Sequence, residues 1–175
     1  MDISLKIECF EYFLYNIIKW YKKCYNGHSL DITRLKALKL LFLTSAIKTE
    51  DGGDLLDIFN NFFAMQHGPV ESDIYNAING SQLVHYQFGG TKVSVINEEN
   101  VVNGISDDIR RRIDASLWAL YGRNSQLIRL TSFQLVDITH KWSCWQKSME
   151  VAKILGKGSY LMDIESIRNS NQIFE

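Results

Sequence analysis

Apolar residues at Ile3, Ile7, Phe10, Leu14, Ile17 or Ile18, and Tyr21 recur at steps of three and four, so the spacing predicts an amphipathic helix ending near Asn26-Gly27. Glu8, Glu11, Lys19 and Lys22 fall on its wetter side. Beyond the Gly27-His28-Ser29 break, Asp31 can cap a second helix, about 31–48. There Leu35, Leu38, Leu40, Leu41, Phe42, Leu43, Ala46 and Ile47 leave almost no polar face, which suits the buried centre of a domain. The turn Asp51-Gly52-Gly53 leads into an aromatic-rich stretch, Leu55 to Phe63, that reads as a short helix or turn ending at Gln66-His67-Gly68-Pro69. Pro69 suits the first turn of a further helix, Val70 to Asn79, which Gly80 ends. Val84, Tyr86 and Phe88 alternate, then Val93 and Val95 after the pair Gly89-Gly90. This predicts one small β-hairpin at about 84–96, to which sheet content is expected to be confined.

Ser106 followed by Asp107 and Asp108 marks another helix start, with Ile109, Ile113, Leu117 and Leu120 facing inward and Gly122 as the stop. Two capping boxes, Thr131 with Gln134 and Ser143 with Gln146, place helices at about 132–140 and 144–155. Gly156 and Gly158 separate these from a last helix at about Asp163 to Asn169. The expected fold class is therefore mainly α: a compact helical bundle around a buried central helix, with one hairpin. With no repeat, low-complexity segment or linker, a single domain over 1–175 is expected.

Composition narrows the function classes. The chain has 175 residues, 46% hydrophobic and 22% charged, which is ample for a packed core. Its net charge of -1 offers no electrostatic footprint for nucleic acid, so no direct nucleic-acid partner is expected. Arg110, Arg111 and Arg112 are interleaved with Asp107, Asp108 and Asp114 at helical spacing and read as an internally paired, solvated face. Three widely spaced cysteines, an odd count, suit a reducing cytoplasm better than a disulfide framework. An acidic start in place of a secretory signal, and apolar runs of only a few residues, predict neither export nor a membrane partner.

Candidate chemistry is sparse. Gly52-Gly53, Gly89-Gly90 and Gly156-Lys157-Gly158 lack the spacing of a phosphate loop. Cys24 with His28 and His140 with Cys144 could together supply two cysteines and two histidines to a metal, but neither pair has finger-like spacing. Cys144, His140 and Asp137 could be written as a nucleophilic set, giving a small hydrolase as the rival reading. Catalytic cysteines usually meet their histidine from distant sequence, so no catalytic residue, metal or cofactor is expected. Among the aromatics, Tyr75, Tyr86, Trp118 and the phenylalanines from 59 to 63 are mostly core candidates. Trp142 and Trp145 flank a helix start amid Lys141, Ser143, Gln146 and Lys147, so at least one is expected near the surface, where tryptophan anchors protein interfaces.

Three segments carry a resemblance. Leu35-Lys36-Ala37-Leu38-Lys39-Leu40-Leu41-Phe42 is followed by Phe63-Ala64-Met65-Gln66-His67-Gly68-Pro69-Val70 through Ile74-Tyr75, then by Leu135-Val136-Asp137-Ile138-Thr139-His140 through Trp145-Gln146-Lys147. In this order the chain resembles the Panacea domain, or SocA-like antitoxin domain, of phage and mobile-element proteins, over roughly residues 10 to 170. Met65, Gln66 and His67 stand where such proteins tend to carry a Trp-Lys-Tyr pattern. The resemblance implies an antitoxin that neutralises a cognate toxin, encoded in an adjacent gene, by direct protein contact. Its alternatives are an adaptor that delivers the toxin to a cytoplasmic protease, or a phage-derived protein acting on a host factor. It further implies partner-binding roles for Gly68, Pro69, Val70, Tyr75, Thr139, His140 and Trp145, to which the interface reading of the tryptophans adds Trp142.

Overall fold

The computed structural model describes residues 2–25, 29–51 and 53–175, so the expected breaks at Gly27-His28 and Gly52 lie outside the described residues. The fold is mainly α. Helix α1 (Ile3–Cys24) begins where the Asp2 carboxylate accepts the Ser4 N–H, and it buries Ile7, Phe10, Phe13, Leu14, Ile17 and Ile18. Helix α2 (Arg34–Ala46) is buried at every position from Lys36 onward and forms the centre, as its missing polar face requires. Around it follow β1 (Phe62–Met65), β2 (Gly68–Glu71), α3 (Ser72–Asn79), the hairpin strands β3 (Tyr86–Gly89) and β4 (Lys92–Val95), and α4 (Asp107–Arg123). Then come α5 (Ser132–His140), α6 (Ser143–Ile154), β5 (Tyr160–Leu161) and α7 (Ile164–Arg168).

Several helix caps follow the sequence and some do not. Ser106 caps α4, and Thr131 with Gln134 makes a full capping box at α5. Asp31 does not cap α2. Thr33 does, its hydroxyl accepting the Lys36 N–H at 3.1 Å, because Asp31 pairs with Lys92 on the hairpin at 2.8 Å. The Arg34 N–H donates to the Thr91 carbonyl and the Val93 N–H to that of Ile32, which lashes the hairpin to the entrance of α2. Ser143 is likewise no cap. Its hydroxyl pairs with Ser170 at 2.9 Å, and Gln146 donates instead to the His140 carbonyl. The hairpin register sets Gly89 opposite Lys92, so the turn is Gly90-Thr91, with Gly90 at φ 64°.

Sheet is not confined to the hairpin. Strand β1 pairs antiparallel with β2, Phe62 opposite Glu71 and Met65 opposite Gly68, and on its other edge with β5. An unbroken apolar run conceals the two-residue period: Phe62 and Ala64 are buried while Phe63 and Met65 are only partly so. Pro69 sits within β2, an outer strand, where its missing N–H breaks no ladder between paired strands. Helix α3 consequently starts at Ser72 rather than Val70, with a Glu71 carboxylate oxygen accepting the Ile74 N–H at 2.9 Å.

Two α1 residues depart from the amphipathic reading. Glu11 is 1% exposed rather than on the wet side, because Val84 and His85 donate their backbone N–H groups to its carboxylate at 2.8 and 2.6 Å. Lys6, 3% exposed, donates to Glu71 at 2.9 Å, to Asp73 at 2.6 Å and to Asn60 at 3.0 Å. Burial pulls the Lys6 ammonium down, yet its hydrogen bonds to Asp73 and Glu71 outweigh that and raise its pKa; Asp73, pushed up by burial, is held below its ordinary value by Lys6 and Asn61.

Replacing Lys6 with Met strands two carboxylates and is expected to lower the unfolding free energy by roughly 3–5 kcal/mol, as read from urea denaturation. The stability owed to Lys6 is fully present below its unfolded pKa and is lost as pH rises through the raised folded value. The part owed to Asp73 is present above its unfolded pKa and lost as pH falls through the lowered folded value. The deficit of Lys6→Met should therefore be greatest near neutrality and shrink in acid.

Candidate functional site at the Gly68 turn

The two-residue turn Gln66-His67 between β1 and β2 sets Gly68 down on α2 and α5. Gly68 has φ 90°, and a Cβ there would stand 2.5 Å from Thr139 Oγ1 and 3.1 Å from Lys39 Nζ. Both the backbone conformation and the space demand glycine. Beneath it, Lys39 is wholly buried in the middle of α2, and its Nζ donates to the Pro69 carbonyl at 2.5 Å. Burial alone, with no carboxylate to offset it, pulls this amine down to about 7. Thr139, also fully buried, turns its hydroxyl to the Val136 carbonyl at 2.9 Å.

His140 closes α5 beside this cluster. Its ring stacks on Trp145 with centroids 3.8 Å apart and planes 10° from parallel, while Trp145 Nε1 donates to the Met65 carbonyl at 3.0 Å. One helix end, one helix start and the edge of the turn are thus clamped together. His140 Nε2 is buried with no hydrogen-bond partner. Burial first, then the neighbouring Lys39 charge, lower its pKa against the opposing pull of Asp137. The Lys39 charge thus adds to burial in disfavouring the charged imidazole.

Tyr75 lies half-buried on the adjoining surface, and Val70 is buried beside it. With Arg34, Leu38, Met65 and His67 they line a shallow groove of about 420 Å³. The Arg34 guanidinium lies 5.8 Å from the Tyr75 ring centroid and donates to Asn79. At the rim, His67 meets Phe133 edge-on at 6.2 Å, and Phe133 is 66% exposed.

The structure therefore brings Gly68, Pro69, Thr139, His140 and Trp145 into one cluster, with Val70 and Tyr75 lining the groove beside it. Trp142 lies elsewhere in the core, fully buried, edge-on to Phe42 at 5.0 Å, with Nε1 donating to the Ile173 carbonyl at 2.8 Å. Of the two tryptophans, only Trp145 reaches the surface, and only in part. Lys39 and Phe133 escape the sequence reading. A lysine between Leu38 and Leu40 on a helix without a polar face was the available signal for the first; nothing in the pattern marks the second.

The arrangement is poorly suited to nucleophilic chemistry. Cys144 is buried, its thiol pushed up by that burial, and its backbone N–H donates to Ser170 Oγ at 3.3 Å. Among the described residues no group of three or more His, Cys, Asp or Glu could hold a metal ion, and His28 lies outside them.

Gly68→Ala is expected to cost about 2 kcal/mol or more, and adding Thr139→Ala should recover only part of it, because the positive φ remains; thermal melts of both variants check this. The depressed Lys39 pKa makes its contribution to stability present above the unfolded pKa and lost as pH falls through about 7. Wild-type stability should therefore gain on that of Lys39→Met as pH rises from 7 toward 10, by up to about 1.4 kcal/mol per pH unit in urea titrations.

Comparison of the chain with protein-family models, with curated proteins and with solved structures finds no match.

Proposed function

We propose that this chain is a protein-binding domain whose pre-formed exterior beside the Gly68 turn grips a partner, and that the partner is a cognate toxin neutralised by direct contact. The observation that carries the reading is Phe133. A large apolar side chain 66% exposed at the rim of a groove, held edge-on by His67, is the kind of anchor that binding surfaces use. The groove beside it offers Met65 for apolar contact over a buried floor of Leu38 and Val70, and the Tyr75 ring for stacking, with Arg34 as a charged edge.

Rigidity supports the same reading. The turn that forms one wall is fixed from below by Lys39 to Pro69 and from the side by Trp145 to Met65, so little side-chain or loop entropy is lost when a partner docks. The toxin assignment rests on the resemblance of the Gly68-Pro69-Val70 and Thr139-His140 segments to SocA-like antitoxins, and on the cluster that those segments form.

Co-expression with the product of the adjacent gene tests the proposal. The neighbour's product should arrest growth alone, be silenced by this chain and co-purify with it. Phe133→Glu should weaken that complex by about 2 kcal/mol or more, roughly thirtyfold, with an unchanged melting temperature. A harmless neighbour, or a Phe133→Glu chain that binds as tightly as wild type, counts against it.

A further inference from the structure

On another part of the surface, α1 and α4 each turn a stripe of side chains toward a common groove of about 550 Å³, within the roughly 300–1,000 Å³ usual for small-molecule sites. From α1 come Asn16, Lys19, Trp20 and Lys23, and from α4 Asp114, Trp118 and Tyr121, both at three- and four-residue steps. Arg129 closes one end.

The two sides differ in chemistry. Along α4 runs an aromatic wall: Trp118, 69% exposed, meets Tyr121 edge-on at 5.9 Å, and Tyr121 meets Trp20 edge-on at 5.5 Å. Trp20 is only 8% exposed and forms the floor, and its indole Nε1 is buried without a hydrogen-bond partner. Lys19, whose Nζ lies 4.1 Å from the Tyr15 ring centroid, and Lys23 line the groove from α1, and Arg129, 5.6 Å from the Tyr25 ring, lines its end, three cations beside the single carboxylate of Asp114 in a chain whose net charge is -1.

The charges are also graded along the groove. Asp114 accepts from the Tyr12 hydroxyl at 3.0 Å and feels the Lys19 charge, which places it at the Asn16 end. Arg129 donates to the Cys24 carbonyl at 3.5 Å and so sits at the Lys23 end. An anion is drawn toward Lys23 and Arg129 and repelled from Asp114, while a flat ring has the exposed Trp118 to stack on.

We propose that this groove is a binding site for a mononucleotide, with its base stacked on the Trp118–Tyr121 wall and its phosphate held between Lys23 and Arg129. Asp114 and Asn16, at the opposite end, offer an acceptor and an amide to the polar edge of the base. A purely apolar ligand makes no use of the Lys23 ammonium at the groove's end, and a bare anion makes none of the exposed indole.

Titration calorimetry of the full chain with AMP and UMP, set beside inorganic phosphate, adenosine and a short single-stranded oligonucleotide, tests the assignment. Saturable binding of a mononucleotide is expected, with phosphate and adenosine each at least about tenfold weaker. Trp118→Ala should weaken it about tenfold or more at an unchanged melting temperature. Lys23→Ala combined with Arg129→Ala should weaken it and flatten its salt dependence. No heat with either mononucleotide at millimolar concentration, phosphate binding as tightly as nucleotide, an oligonucleotide binding far more tightly than either mononucleotide, or a Trp118→Ala chain equal to wild type would each overturn it.

Discussion

One carboxylate holds a strand end and two helices in register. Glu71, fully buried, accepts from Lys6 of α1 and the Asn61 N–H with one oxygen and from the Ile74 N–H with the other. It therefore ends β2, caps α3 and fastens both to the first helix. A carboxylate in so dry a place is tolerable only because every contact is a hydrogen-bond donor and one of them is a cation. Since β2 carries Gly68 and Pro69, the height of the turn over α2 is inherited from this arrangement.

The same economy of buried charge is absent at Lys39. There the amine has a carbonyl and no carboxylate, so the protein meets the cost of burial by favouring the neutral form. Lys36, one helical turn before it on α2, is also pulled down by burial, with the Tyr21 ring 5.6 Å away. The central helix thus keeps two lysines inside by different accommodations, one against a peptide oxygen and one against an aromatic face.

Periodicity made α1, α4 and the hairpin legible, because each has one wet and one dry side, and α2 was legible from the length of its apolar run. It failed where a short segment was apolar on both sides. The stretch from Phe59 to Met65 shows no alternation in the sequence, and only its pairing with Gly68–Glu71 and Tyr160–Leu161 makes part of it a strand. Caps were legible when local, as at Thr131 and Ser106, and failed at Asp31 and Ser143, whose side chains answer to partners 61 and 27 residues away that spacing alone does not reveal. At the Gly68 turn the motif residues could be listed but not sorted. Which of them lie beneath the surface, as Thr139 does, and which reach it, as Tyr75 does, depends on how α2 and α5 are stacked.

The small sheet has a built-in limit to its growth. Its outer strands are β2, interrupted by a residue with no N–H to donate and covered by α2 and α5, and β5, which is only two residues long. Neither offers a row of free peptide groups on which a stray extended segment could template itself, so chains crowded together at high concentration gain nothing by zipping through this edge.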